Sequence, residues 1–369
     1  MELLYKPDWP LAKKRIEAFW HGESIGRPLV SITAPNGKKP SPPPPKKTLR
    51  EKIFDFEYRV LFEEDSLRTT YFGGEAVPCV WPDFSPDFTA ACLGGDLDIA
   101  DRPADSPFMG SVWSRHVLSD WEKMKDIGFN PENPWFKRGV EFTRLAMEMG
   151  KGKFLVESLD VDGGMDTCAG LRGAQQLCLD ILDSPEEVQK LLDIVREGNR
   201  QVVNSLIDLV RDYQGGMVNT YRIYAPGKSY NMRSDFSFLI NPQLFRSFVL
   251  PYIIKESMHD DFIIFHTHSE DAERNSSQRL AYLDVILSVP RLHAVEWHCQ
   301  NLPVSVLMKG IRKILDAGKR VVTYGSPERI MEILSGLKKD EAEKIWFQSH
   351  AESKEEADAL IKNLETKKY

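Results

Sequence analysis

Apolar and β-branched residues are concentrated in eight short runs along the chain, and helix-like stretches separate most of these runs. Helix starts are clearest where a serine precedes a proline, because serine caps a helix and proline suits its first turn. This pattern occurs at Ser184 and Ser326, and Gly336 marks the predicted end of the second helix. Strands that alternate with helices predict a parallel sheet, and eight of them predict a closed (β/α)8 barrel. The eight predicted strands are 28–35, 76–81, 154–160, 217–224, 262–268, 294–299, 320–325 and 345–350.

The first third of the chain is less regular than the rest. Residues 41–47 form a proline-rich loop, and residues 82–150 contain many Gly, Pro and Asp with only short periodic segments. We interpret this region as insertions near the barrel mouth. Because α/β barrels often exceed the usual domain size, residues 1–369 are interpreted as a single domain.

Two histidines follow directly on the fifth predicted strand, in the segment FIIFHTH. Side chains alternate along a strand, so Ile264, His266 and His268 share one face. Ile263 and Phe265 suit the opposite face, which packs under helices. In barrels of this kind the chemistry lies at the carboxyl ends of the strands. His266 and His268 are therefore predicted to point into the active site.

The same parity argument applies to the sixth and eighth strands. In AVEWHC, Glu296 and His298 are predicted to point inward, with Cys299 at the rim. In IWFQSH, Gln348 and His350 are predicted to point inward.

Three histidines at strand ends indicate a metal site. Neutral imidazole is a common zinc ligand, and three protein ligands with one open position are typical of catalytic zinc. The predicted ligands are His266, His268 and His350, with reserve ligands Glu296, His298 and Cys299. The alternative is that these histidines stack or form hydrogen bonds in a polar barrel mouth without metal.

Other polar residues near strand ends are weaker candidates. Asp160 and Asp162 fit a general base or a group that binds substrate hydroxyls or amines, or they cap a turn. Glu75, beside two glycines, fits a substrate-binding group or a turn. Arg222 and Tyr224 are predicted to share one face of the fourth strand.

The composition narrows the classes of function. The formal net charge of −7 argues against nucleic acid or an anionic membrane as a partner. No apolar run reaches the length of a membrane span, and the amino terminus shows no signal-peptide pattern, so a cytoplasmic protein is expected. The five cysteines are an odd number without a CxxC pair, which predicts small buried residues in a reducing compartment.

The chain resembles the uroporphyrinogen decarboxylase superfamily, which includes corrinoid-dependent methyltransferases. The most specific element is SDFSFLINPQLF, and the likeness covers nearly the whole chain. The segments that carry it are RPLVSITAP (27–35), GGEAVPCVWP (73–82), NPENPWFK (130–137), LDVDGGMD (159–166), SDFSFLINPQLFRSFVLPYI (234–253), FHTH (265–268), LAYLDVILSVPRLHAVEW (280–297) and GKRVVTYGSPERIMEIL (318–334).

The resemblance implies a (β/α)8 barrel with its active site at the mouth. In the methyltransferases, a His-x-Cys pair after the fifth strand and a cysteine after the eighth bind zinc, which activates a thiol. Here His266 matches the histidine, His268 replaces the first cysteine and His350 falls near the second. An all-nitrogen site is harder and more Lewis-acidic, which favours an oxygen or nitrogen substrate, another metal or no metal.

The decarboxylases of this superfamily grip their substrate with an arginine-rich motif near the amino terminus. The matching region here reads RPLVSITAPNGKK and lacks the paired arginines. An acidic protein without that clamp is poorly suited to a porphyrinogen with many carboxylates. Methyl transfer is therefore ranked above tetrapyrrole decarboxylation.

The first hypothesis is a metal-dependent methyltransferase or demethylase that moves a methyl group between a small molecule and a corrinoid on a partner protein. Zinc would be held by His266, His268 and His350, and Asp160 or Glu296 would orient the substrate or handle a proton. The pocket would be lined by Glu75, Arg222, Tyr224 and Asp235.

Two alternatives remain open at this point. One is a metal-independent decarboxylase or other lyase in which His350 and Asp160 handle protons. The other is a non-catalytic barrel that binds a small ligand or a corrinoid protein.

Overall fold

A computed structural model describes residues 1–99, 112–161, 163–229, 231–267, 276–298 and 302–366. These residues form a mixed α/β fold with 15 helices and a central, mostly parallel sheet. The strands are β1 Leu29–Pro35, β2 Thr70–Gly74, β3 Cys79–Val80, β4 Asp96–Asp98, β5 Trp113–Arg115, β6 Leu155–Val156, β7 Met217–Val218, β8 Tyr224–Ala225, β9 Asn231–Met232, β10 Ile264–Thr267, β11 Ala294–Trp297, β12 Arg320–Tyr324 and β13 Ile345–His350.

The helices lie between these strands. They are α1 Trp9–His21, α2 Leu49–Phe54, α3 Phe56–Arg68, α4 Phe88–Cys92, α5 Pro134–Gly150, α6 Gly164–Arg172, α7 Ala174–Asp183, α8 Pro185–Gln214, α9 Pro242–Leu244, α10 Leu250–Glu256, α11 Ser276–Leu287, α12 Val304–Asp316, α13 Pro327–Ser335, α14 Lys339–Ala342 and α15 Lys354–Thr366. Two 3-10 helices, Trp121–Asp126 and Asp235–Leu239, and a π-helical turn, Phe245–Val249, complete the set. Within these described ranges, no helix is long and apolar enough to cross a lipid bilayer.

The largest sheet has seven strands in the order β2-β1-β13-β12-β11-β10-β9. All neighbours in it are parallel except β1 and β2. A second parallel pair joins β3 to β6, and a single parallel bridge joins Glu157 to Val218. Parallel pairing brings the carboxyl ends of the strands to one edge of each sheet.

Each of the eight predicted runs contains a strand, but the fourth run is not one continuous strand. β7 ends at Val218, and the chain turns back so that Val218 pairs with Tyr224 of β8 in an antiparallel hairpin. Arg222 lies in this turn with a positive φ of 58°. The prediction that Arg222 and Tyr224 share one face of a strand is therefore wrong.

The predicted helix starts are confirmed. Ser326 Oγ accepts a hydrogen bond from the backbone N–H of Arg329 at 3.3 Å, and α13 ends before Gly336. Ser184 precedes Pro185 at the start of α8, although its side chain forms no capping bond there.

Apolar side chains separate into two clusters on opposite faces of the strands. Ile263 and Phe265 belong to the larger cluster, which includes the helices, as the parity of the segment predicts. The smaller cluster takes at least one residue from each of the eight predicted strands and closes on α1 through Trp9, Ile16, Phe19 and Trp20. Its strand residues are Leu29, Cys79, Leu155, Val218, Ile264, Ala294, Val322 and Trp346.

Helix α1 covers the amino ends of the strands. Trp20 packs against Phe262 with ring centroids 5.3 Å apart, and its indole N–H donates to the carbonyl of Tyr224 at 2.7 Å. Phe19 meets Trp346 edge to face at 5.6 Å. The opposite edge, at the carboxyl ends, is thereby left as the position for a site.

The region 82–150, as far as it is described, supplies α4, the β4–β5 hairpin and α5. Residues 100–111 lie outside the described residues. Phe88 of α4 and Phe142 of α5 belong to the same apolar cluster as Val30 of β1. The insertion therefore shares its core with the central sheet.

Candidate active site

A buried histidine–carboxylate pair lies at the carboxyl end of the sheet. His266 of β10 and Glu296 of β11 are register partners, and 2.7 Å separates His266 Nδ1 from Glu296 Oε2. Both residues are almost fully buried, at 2% and 0% exposed. When His266 is neutral it donates its Nδ1–H to the carboxylate, and its lone pair then lies on Nε2. Glu296 therefore sets both the tautomer and the orientation of the imidazole.

Tyr324 at the end of β12 completes this network. Its hydroxyl donates to Glu296 Oε1, so the two carboxylate oxygens have different partners. Burial, followed by the Glu296 carboxylate, raises the pKa of Tyr324 well above its ordinary value. The tyrosine therefore stays protonated and acts as a donor.

Tyr221 covers His266 from the β7–β8 hairpin. The two rings are stacked, with centroids 4.1 Å apart and planes 16° from parallel. Asn219 shapes this turn, because its side-chain oxygen accepts the backbone N–H groups of Tyr221 and Ile223, each at 3.0 Å. The position of Tyr221 thus depends on the turn that the strand pattern did not predict.

Carboxylates surround Tyr221. Burial raises its pKa; Arg233 opposes this rise, and Glu296, Asp160 and Asp235 add to it. The structure therefore brings both predicted catalytic carboxylates, Asp160 and Glu296, to the same tyrosine that stacks on the histidine.

Asp160 follows β6 and forms a buried ion pair with Arg233, at 2.7 Å. Nearby Asp83 has a pKa raised to about 7, chiefly by burial and next by the charge of Asp160. Asp83 is thus a carboxyl group that exchanges its proton near neutral pH.

The carboxylate of Asp166 anchors the segment that carries Asp235. It accepts the backbone N–H groups of Asp235 and Phe236 at 3.0 and 2.6 Å. Burial, followed by the charge of Asp235, raises the pKa of Asp166 to about 7.

A pocket of about 580 Å³ opens beside this network, between the ends of β1, β12 and β13. Tyr324 lines the pocket and also binds Glu296, so it connects the cavity to His266. A second cavity of about 480 Å³ shares Thr33, Phe72, Arg222 and His350 with it. The two cavities form one cleft, and Glu63 and Lys38 line its second part.

His350 lies on the rim of this cleft. It is exposed, and its Nδ1 is 3.1 Å from Thr33 Oγ1 on the neighbouring strand. In the sheet, β12 and β11 lie between the strand of His350 and that of His266.

Three of the candidate positions, Asp162, His268 and Cys299, lie outside the described residues. Over the described ranges, no three His, Cys, Asp or Glu side chains form a group able to hold a metal ion. The predicted zinc ligands are therefore not tested as a set.

Arg222 belongs to the cleft through a short charge network. Its Nε is 3.4 Å from Glu157 Oε1, and the Cys79 thiol donates to the same oxygen at 2.9 Å. Burial raises the pKa of Glu157, whereas Arg222 lowers it. The guanidinium therefore remains close to the cleft surface above a buried carboxylate.

Two predicted pocket residues have structural partners. Glu75 is fully buried at the amino end of β1, where Arg27 donates to both of its oxygens at 2.7 and 3.1 Å and Val30 N–H donates at 2.9 Å. Tyr224 packs edge to face on Trp9, and its hydroxyl donates to the Gly215 carbonyl at 2.7 Å. Both side chains thus stabilise the end of the fold that α1 covers.

Sequence reasoning missed Tyr221, Tyr324 and Arg233. Tyr324 was accessible to the parity argument, since it shares a strand face with Val322 of the smaller cluster. Tyr221 and Arg233 lie in irregular segments where no period identifies a face.

No family model matches this chain, and no curated protein matches it.

Proposed function

We propose that this chain is a metal-dependent methyltransferase or demethylase of the uroporphyrinogen decarboxylase superfamily, acting between a small molecule and a corrinoid on a partner protein. The observation that carries the proposal is the buried pair of His266 and Glu296 at the carboxyl end of parallel strands. Metal-ligating histidines commonly donate their second ring N–H to a carboxylate, which fixes the tautomer and raises the basicity of the ligating nitrogen. This pair has that form.

The proposed zinc ligands are His266, His268 and His350. Nδ1 of His266 is held by Glu296 and Nδ1 of His350 by Thr33, so each ring would present Nε2. His268 would be the third ligand. Bound zinc would supply Lewis acidity that polarises the methyl donor or acceptor, and three nitrogen ligands favour an oxygen or nitrogen substrate over a thiol.

The proposal requires the strands to close into a (β/α)8 barrel, because β10 and β13 are three positions apart in the sheet order. Support comes from the smaller apolar cluster, to which each of the eight predicted strands contributes at least one residue. In a barrel, one face of every strand packs into a shared interior, so a single cluster with residues from all eight strands is the expected packing. Closure would bring the strand ends around one axis.

The remaining residues have roles that follow from their contacts. Glu296 orients His266, and Tyr324 holds the second oxygen of Glu296. Asp160, paired with Arg233, is positioned to orient the substrate or to hold a proton on its carboxylate. Arg222 and Asp235 would line the cleft, whereas Glu75 and Tyr224 are assigned to the fold.

Metal analysis of the purified protein, before and after zinc reconstitution, tests the proposal. We expect one zinc per chain in the wild type and a loss of zinc in His350→Ala, a substitution at an exposed position. His266→Gln provides the buried comparison, and exposed His259→Ala is the matched control. A wild-type protein without stoichiometric metal after reconstitution would contradict the proposal, as would absence of methyl transfer to free cob(I)alamin from every methyl donor tried.

A second candidate is a metal-independent decarboxylase or lyase. It is favoured by the Asp160–Arg233 pair beside Asp83, since a carboxyl group with a pKa near 7 suits general acid–base chemistry. A strong chelator separates the two candidates: turnover that survives complete removal of metal supports the lyase, and turnover that is lost and returns with zinc excludes it.

A further inference from the structure

The pocket between β1, β12 and β13 has an unusual charge for this chain. Its described lining residues include Arg222 and Arg329 and no Asp or Glu, although the chain carries a net charge of −7. The lining is therefore a local excess of cationic and neutral polar groups on an acidic protein.

Two hydrogen-bond donors in this lining are buried and unused. Arg329 Nε and Gln348 Nε2 have no hydrogen-bond partner among the residues that the structure describes. Arg329 is held in place through another of its guanidinium nitrogens, Nη2, which donates to the Leu302 carbonyl. A buried donor without a partner is destabilising, so a bound acceptor that satisfied both groups would be favoured.

Two carboxylates, Glu157 and Glu63, act on the charge of Arg222. Glu157 lies near Arg222, but it is shared with the Cys79 thiol and is buried beneath the cleft. Arg329 forms no ion pair with any carboxylate of the described residues. The charge of Arg222 is thus partly neutralised, whereas that of Arg329 is not.

We propose that this pocket binds the oxyanion group, carboxylate or phosphate, of a small-molecule substrate, with Arg329 and Gln348 as the direct donors and Arg222 as a second charge. Oxyanions accept several hydrogen bonds and donate none, which matches a lining of unused donors. Arginine binds both groups through its planar fork of N–H donors.

The inference names the substrate class of the proposed enzyme and rests on that proposed function for its catalytic meaning. An anion held at Arg329 would lie in the pocket that Tyr324 also lines. The bound group would anchor the substrate beside the Tyr324–Glu296–His266 network. Binding itself requires neither metal nor turnover.

The test is a titration of the full-length protein at constant ionic strength with three probes: inorganic phosphate, succinate and the neutral analogue succinamide. Binding is followed by calorimetry and by the NMR signal of the Arg329 Nε–H, identified from its loss in Arg329→Gln. We expect saturable binding of phosphate or succinate, movement of this signal, and no response to succinamide.

Variants make the result specific. Arg329→Gln should weaken binding about tenfold or more, because it removes a charge-assisted hydrogen bond. Gln348→Glu should abolish binding by placing a like charge in the pocket, whereas exposed Arg144→Gln should change nothing. Each variant is first checked for an unaltered melting temperature.

The outcomes separate this inference from the proposed function. Binding of phosphate alone indicates a phosphate ester as substrate, and binding of succinate alone indicates a carboxylic acid. Binding by a protein that holds no metal supports the oxyanion site while contradicting the methyltransferase proposal. If neither anion moves the Arg329 signal, or if Arg329→Gln binds as the wild type does, the oxyanion site is wrong.

Discussion

His266 and Glu296 face each other across two neighbouring parallel strands, with 2.7 Å between the imidazole Nδ1 and the carboxylate Oε2. Because both side chains are buried, this contact is shielded from water and fixes the direction of the imidazole. The proposed chemistry depends on the direction of the imidazole. Substitution of Glu296 tests this dependence.

Glu296→Gln keeps the volume of the side chain but removes its charge and one of its acceptor oxygens. We expect zinc affinity to fall about 10- to 100-fold, since second-shell partners of metal ligands have effects of this size. A competition titration with a chromogenic chelator measures the affinity. Exposed Glu332→Gln on α13 is the control, and equal affinities for wild type and Glu296→Gln would contradict the assigned role.

Tyr324→Phe removes the donor to Glu296 Oε1. We expect a loss of about 1–3 kcal/mol in the free energy of unfolding, because a buried carboxylate oxygen is left without its partner. Urea denaturation measures this loss. Tyr213→Phe is a matched control, since the buried Tyr213 hydroxyl has no partner among the described residues. If Tyr213→Phe lowers the free energy of unfolding more than Tyr324→Phe does, the proposed hydrogen bond between Tyr324 and Glu296 is contradicted.

Glu75→Gln should be among the most destabilising single substitutions of a charged residue in this protein. It leaves Arg27 buried without a counter-charge, and breaking such a pair typically costs about 3–5 kcal/mol. Urea denaturation measures this loss in the free energy of unfolding. Glu365 is an exposed ion-pair partner of Arg15, so Glu365→Gln should change the free energy of unfolding very little. If Glu75→Gln is stable but fails to bind substrate, the residue belongs to the site instead.

Asp83→Asn should change how stability depends on pH. The pKa of Asp83 is raised from 3.8 to about 7, so between these values the folded protein keeps a proton that the unfolded chain has released. The contribution of this group to stability therefore falls as pH rises through that window. Asn mimics the protonated form, so the variant should gain stability relative to the wild type as the pH rises from 3.8 to about 7, and the gain should be constant above that.

Urea denaturation at several pH values measures this difference. The exposed substitution Asp120→Asn should leave the slope against pH unaltered. A wild-type minus Asp83→Asn difference that is constant across the range would show that Asp83 does not titrate there.

The strands could be predicted because each one is a short run of apolar residues that are consecutive in the sequence. Their faces could be predicted because side chains alternate between faces along such a run. Ile263 and Phe265 pack with the helices, and Ile264 lies in the smaller cluster, as parity requires. The sequence also indicated His266 and Glu296 as neighbours, since consecutive strands of a parallel sheet lie side by side.

The sequence-based predictions differ from the structure in two kinds of place. In one, a residue binds a partner that is distant in the sequence. In the other, a side chain stabilises a turn. Glu75 was interpreted beside its glycines, but its partner Arg27 is 48 residues away. The residues of 217–224 favour a strand by composition, yet the Asn219 side chain binds two backbone N–H groups and creates a turn. The left-handed backbone at Arg222, a rare state for a side chain other than glycine, has no signal in the sequence.

The covering of the strands' amino ends by α1 has a consequence for synthesis of the chain. Phe19 and Trp20 are synthesised before their partners Trp346 and Phe262, which lie far downstream in the sequence. The apolar face of α1 therefore stays without this part of its native cover until Phe262 and Trp346 have been made. During that interval the nascent protein presents two aromatic rings that can bind to chaperones or to other chains.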